Sequence, residues 1–138
     1  MWRRININPK NQDVGDCTIR AISMALNQNW YLTHSDLCAL SRQMADMPSS
    51  NRVLFEYLKL RGYTRHTIET ECPNCLSVID FCNNHPVGEY LLSTCDYVSA
   101  NKIVVTASHM IFCAYGTYYD SWNSGREIPL YYFEKEKR

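Results

Sequence analysis

A chain of 138 residues has the size of one domain, long enough to bury a core and too short to divide into two, so residues 1–138 are read as a single unit. Its 14 basic residues are balanced by 14 acidic ones, which leaves none of the basic excess that a nucleic-acid or anionic-membrane binder needs; neither partner is expected. The opening Met1-Trp2-Arg3-Arg4 leads into no apolar run, and nowhere do about 18 apolar residues follow one another, so neither a secretory signal nor a membrane span is expected and the sequence reads as cytoplasmic.

The first strongly patterned stretch is Asp13 to Leu26. A turn carrying Gly15 runs into a segment whose Ile19, Ile22 and Leu26 recur at helical spacing, with Asp16 in the N-cap position and the helix ending near Asn27. Cys17 therefore opens a helix. In that first turn, unpaired backbone N–H groups and the positive end of the helix dipole favour a thiolate over a thiol, the condition a nucleophilic cysteine requires. A small buried residue at the start of a core helix is the plainer reading of Cys17. The distant stretch from His109 to Gly125 weighs against it. Arg20, one turn beyond Cys17, is expected to form a salt bridge with Asp13 or Asp16 rather than to touch substrate.

Further helices follow. Thr33-x-x-Asp36 resembles a capping box opening a helix with Leu37, Leu40 and Met44 on its apolar face. Pro48, Ser49 and Ser50 start another, with Leu54, Tyr57 and Leu58 inward and Gly62 as its stop after Arg61. Asn74 is read as the cap of a fourth helix through Cys75, Val78, Ile79 and Cys82, closed by Asn83-Asn84-His85-Pro86. Cys72-Pro73-Asn74-Cys75 has the spacing of half a zinc site but lacks a second half, so no metal is assigned. The odd count of seven scattered cysteines reads as free thiols in a reducing compartment. His34 in a capping region, His66 in a polar loop and His85 beside Pro86 are assigned no function, and the charged tail from Glu134 to Arg138 reads as a solvated end.

Beyond Gly88 the period changes. Tyr90–Thr94, Ile103–Thr106, His109–Ala114, Tyr118–Trp122 and Ile128–Phe133 are short, rich in β-branched and aromatic residues, and separated by turns. They are read as an antiparallel sheet. Helices followed by sheet imply an α+β domain in which the leading helix packs on the later strands.

In chain order the sequence resembles the papain-like cysteine peptidases. A cysteine opens the first long helix (Gly15-Asp16-Cys17), a histidine opens a late strand (His109), and a polar residue precedes a tryptophan on the next strand (Asp120-Ser121-Trp122). The chain is far shorter than a typical papain and lacks the Cys-Gly-Ser-Cys-Trp pattern, so the resemblance is to a small, divergent member of the superfamily. It implies that Cys17 is the nucleophile, that His109 moves the proton and that a third polar side chain holds the imidazole. It also implies an oxyanion hole from the Cys17 N–H and an upstream side-chain amide, for which Gln12 is the candidate and Asn11 the next.

Hairpin register separates two candidates for the third member. If Tyr115-Gly116 form a two-residue type I′ turn, Ala114 pairs with Thr117, and Asp120 lies on the His109 face. If the loop is one residue longer, Asn123 faces His109 instead. Asp120 is preferred, since it also fits the polar-Ser-Trp motif, with Trp122 shielding the pair from water. The expected function is hydrolysis of a peptide or isopeptide bond in a protein or peptide substrate through a Cys17 thioester, with no cofactor. Transglutaminase-like acyl transfer, whose enzymes use the same Cys, His, Asp order, and an inactive papain-like binding module are the alternatives.

Overall fold

The computed structural model describes residues 1–68, 76–96 and 107–136. Among these, four helices and six strands follow one another as β1 (Trp2–Arg4), α1 (Cys17–Leu26), α2 (Trp30–Gln43), α3 (Asn51–Leu60), β2 (Tyr63–Thr67), α4 (Val78–Asn84), β3 (Glu89–Cys95), β4 (His109–Ala114), β5 (Thr117–Asp120) and β6 (Ile128–Lys135). The strands form one sheet in the order β1-β5-β4-β3-β6-β2. The α+β class holds, but the sheet is mixed rather than purely antiparallel, because β1 runs parallel to β5.

Two strands come from the half of the chain read as helical. β1 is a three-residue strand with two arginines, and it exists because Trp2, Arg3 and Arg4 align with Tyr118, Tyr119 and Asp120. β2 pairs with β6 at the opposite edge, so His66, read as part of a polar loop, lies on a strand across from Tyr132. Edge strands need little apolar alternation, since half of their backbone faces away from the sheet.

Side chains alternate across the central strands and bury both faces. Ala21, Ile22, Leu37, Val53, Leu54 and Leu58 of α1, α2 and α3 pack with Leu91, Met110, Phe112 and Phe133. On the other face Val78, Phe81 and Cys82 of α4 meet Leu92, Ile111, Cys113 and Tyr118. Within that second cluster the buried sulfurs of Cys82 and Cys113 lie 3.0 Å apart as a thiol–thiol contact.

The helix boundaries correct two expectations. Thr33-x-x-Asp36 is not a capping box: α2 starts earlier, capped by Asn29, whose Oδ1 accepts from the Leu32 N–H at 2.8 Å. Thr33 is buried and its hydroxyl accepts from Ser23 Oγ at 2.6 Å, tying α1 to α2, while Asp36 accepts from the Tyr57 hydroxyl at 2.7 Å. Both side chains serve tertiary bonds in place of the helix end. α4 starts at Val78 with Ser77 and Asp80 as its capping box, three residues later than an Asn74 cap requires. Asn74 itself, Cys72, Cys75 and the expected strand Ile103–Thr106 lie outside the described residues. α3 agrees with its expected face, and Gly62, with φ of 86°, follows its Arg61 C-cap in the left-handed conformation glycine tolerates. Among the described residues no helix is long and apolar enough to cross a membrane.

Candidate active site

The geometry begins with the β4–β5 turn. Tyr115 and Gly116 have φ of 51° and 78°, the left-handed pair of a two-residue type I′ turn, and Ala114 pairs with Thr117 and Phe112 with Tyr119. Continued along the ladder, that register places Asp120 on the face of His109. The His109 Nε2–H donates to Asp120 Oδ2 at 2.6 Å, with Asp120 buried and His109 partly so. β1 fixes the far side of the strand end, where the Ile5 N–H donates to the Asp120 carbonyl at 3.0 Å.

Asp120 is held at four points. Its Oδ2 also accepts from Ser124 Oγ at 2.7 Å, and its Oδ1 accepts from the Ser121 N–H at 2.8 Å and from Arg20 Nη1 at 3.4 Å. Burial raises the carboxyl pKa, but the hydrogen bond and charge of His109, with Ser124 and Ser121, outweigh it and keep Asp120 ionised below its ordinary range.

Cys17 approaches from α1. Its thiol hydrogen-bonds the His109 ring and a backbone group of Met110, and since Nε2 is committed to Asp120, Nδ1 is the ring atom left for sulfur. Burial pushes the thiol up; the His109 hydrogen bond and positive charge, the Met110 contact and the Arg20 charge together bring it below its ordinary value. Burial likewise pushes His109 down, yet its bonds to Asp120 and Cys17 and the charge of both raise it to about 9. An imidazolium and a thiolate stabilise each other here.

Asp16 corrects the cap expectation in an informative way. It precedes Cys17 in the N-cap position but makes no side-chain cap bond. Its carboxylate is drawn off by Arg20 Nε at 2.8 Å, Asn8 Nδ2 at 2.9 Å and Trp30 Nε1 at 2.9 Å. The first-turn N–H groups of α1 are thus not occupied by an Asp16 cap and remain available to a thiolate or an oxyanion.

Gln12 lies in the loop that Asn8 organises: Asn8 Oδ1 accepts from the N–H groups of Lys10 and Gln12 at 3.0 and 3.2 Å. The Gln12 side chain is exposed, as is Asn11. Asn123, the alternative third member, is engaged elsewhere, its Oδ1 accepting from the Tyr118 hydroxyl at 2.7 Å and the Gly125 N–H at 3.1 Å. Trp122 lies 5.2 Å, centroid to centroid, from the His109 ring and stays 48 % exposed, so it covers only one side. Beside it opens a cleft of about 600 Å³ lined by Arg4, Asn6, Asn11, Asp13, Ser121 and Trp122.

Several residues of this arrangement escape a reading by motif. Arg20 pairs with Asp16, as its spacing predicts, but also reaches Asp120 a hundred positions away. Asn8, Trp30, Ser124 and the buried Glu127, raised chiefly by burial and facing His109, Asp96 and Asp120, carried no local signal beyond being polar residues near the motifs. The remaining histidines stay apart: His34 stacks on Trp30 at 5.0 Å and the His85 Nδ1–H donates to the Phe81 carbonyl at 2.8 Å. No protein-family model, curated protein or solved structure matches the chain.

Proposed function

We propose that this protein is a cysteine hydrolase of papain-like type that cleaves a peptide or isopeptide bond in a protein or peptide substrate in the cytoplasm. The observation that carries the reading is the hydrogen-bonded line from the Cys17 thiol through His109 to buried Asp120, contributed by α1, β4 and β5. Three groups on three elements converge in the order that nucleophilic acyl chemistry needs.

In this mechanism the Cys17 thiolate attacks the carbonyl carbon, and the oxyanion takes the Cys17 N–H and the Gln12 amide as donors. His109 gives its Nδ1 proton to the departing amine as the tetrahedral intermediate collapses to a thioester. Asp120 keeps the imidazole oriented and stabilises its charge. A water molecule then gives a proton to His109 and attacks the thioester, returning the thiolate and releasing the acid. The cleft beside Trp122 supplies a surface for substrate next to the histidine that protonates the leaving group.

The test is a screen of peptide and isopeptide substrates with mass spectrometry of the intact protein. A thioester adduct confined to Cys17, absent in Cys17→Ala and resolved by water to a free acid, is the expected result. Resolution only by an added amine assigns acyl transfer instead. Failure to find an adduct or turnover on any substrate, with the wild-type thiol reacting no faster than the other cysteines, assigns a binding module.

A further inference from the structure

The two carboxylates that flank the site share one cation. Asp16 and Asp120 are 4 % and 3 % exposed and Arg20, which lies between them, is 6 % exposed. Two buried carboxylates near each other repel and resist ionisation unless a positive charge is set between them. Arg20 meets this need with two different donors, Nε to Asp16 Oδ1 at 2.8 Å and Nη1 to Asp120 Oδ1 at 3.4 Å. A planar guanidinium can span two acceptors in fixed directions, whereas a lysine ammonium is a single point of charge. The bridge links the residue before the nucleophile, on α1, to the residue behind the histidine, on β5.

We propose that Arg20 is a positioning residue of the Cys17–His109–Asp120 site, registering the nucleophile helix against the β4–β5 hairpin and setting the pH window in which thiolate and imidazolium coexist. This inference rests on the reading of Cys17 as a nucleophile. The charged groups around the window are His109 on β4, Asp120 on β5, Asp16 and Arg20 at α1, with Glu127 before β6 facing His109 and Asp120, and Asp96 after β3 acting on Glu127. All but His109 and Arg20 are acids. Removing the Arg20 charge therefore makes the surroundings more negative, which disfavours the thiolate and favours the imidazolium, and both titrations move to higher pH.

The experiment is the pH dependence of Cys17 alkylation by iodoacetamide in the full chain, read on the Cys17 peptide by mass spectrometry. Wild type, Arg20→Gln and Arg20→Lys are compared after circular dichroism shows each to be folded. Arg20→Met removes the charge while keeping much of the side-chain length, and serves if Arg20→Gln does not fold. In the charge-deleted protein both inflections are expected to rise by about one unit, so that alkylation at acidic pH slows roughly tenfold. Arg20→Lys is expected to bring them back toward wild type. Unchanged inflections in the folded charge-deleted protein, with only the plateau rate altered, overturn the proposal and leave Arg20 as a plain structural bridge. A wild-type Cys17 with a single inflection near an unperturbed thiol value of about 8.5 overturns the nucleophile reading itself, and this inference with it.

Discussion

The β4–β5 end of the sheet and its β2–β6 edge each hold a histidine against a carboxylate, His109 with Asp120 at 2.6 Å and His66 with Glu134 at 2.9 Å. The side chains of the first pair are 10 % and 2 % exposed, and those of the second 36 % and 43 %. Among the described residues His66 Nε2 makes no hydrogen bond despite its proximity to Glu134, and its ring stacks on Tyr132 at 4.6 Å. Proximity of an acid and a base is thus insufficient for a site. At the hairpin end the pair is largely shielded from water, the N–H points at the carboxylate, and a thiol from a helix start meets the other ring nitrogen; at the edge, solvent screens the pair.

The largest effect that tests this contrast is expected from the thiol at the hairpin end. Cys17→Ala should abolish turnover while the melting temperature stays near that of wild type, because the thiol contributes chemistry and only modest packing. Retention of most activity in that variant would show that another group attacks.

Asp120 comes next. Asp120→Ala is expected to cut kcat/KM by a factor of ~10²–10⁴, as removal of an orienting group does in related triads. Asp120→Asn keeps the shape and loses the charge, so its loss should be smaller. Equal losses in both would mean that orientation contributes little and charge almost everything.

The same pair gives stability a sign with pH. His109 has a folded pKa of about 9, raised from 6.5, so its contribution is fully present below 6.5 and is lost as pH rises through about 9. Cys17, lowered from its ordinary value, contributes with the opposite sign over part of that range, so the slope is read in Cys17→Ala, where urea unfolding above pH 6.5 should show stability falling with pH and an added Asp120→Asn should flatten it. A flat or rising slope in Cys17→Ala would mean that His109 is neutral in the folded state.

How much of this was legible in the sequence follows from where each signal resides. The hairpin register was legible because Tyr115-Gly116 forms a turn determined by its own two residues, and alternation then carried Asp120 to the His109 face. α1 was legible from its apolar spacing, and Asn27, near which it was expected to end, is its left-handed C-cap. β1 and β2 were not, since each is a strand only by virtue of a neighbour distant in sequence. Thr33 and Asp36 misled because a capping pattern and a pair of tertiary hydrogen-bonding side chains use the same residue types. Asp16 shows the same ambiguity at the site itself: it occupies the cap position, and hydrogen bonds from Asn8, Arg20 and Trp30 take its carboxylate away.

Smaller effects sharpen the contrast from the other side. Asn123→Ala should reduce kcat/KM by less than about tenfold, under ~1.4 kcal/mol of transition-state stabilisation. It should instead destabilise the fold by about 1–2 kcal/mol, through the lost bonds to the Tyr118 hydroxyl and the Gly125 N–H. A deep kinetic loss with Asp120→Ala near wild type would move the third role to Asn123. His66→Ala should leave activity unchanged, and a measurable kinetic loss there would break the contrast between the two ends.

The central claim, that Cys17 is activated by His109, is tested most directly by competitive labelling of the native protein with a thiol-directed electrophile at neutral pH. Peptide mass spectrometry then compares Cys17 with the other six cysteines in wild type and in His109→Ala. Preferential labelling of Cys17 that disappears in the folded His109→Ala variant is the expected result. Uniform slow labelling in wild type, or a preference for Cys17 that survives loss of the histidine, would contradict the account.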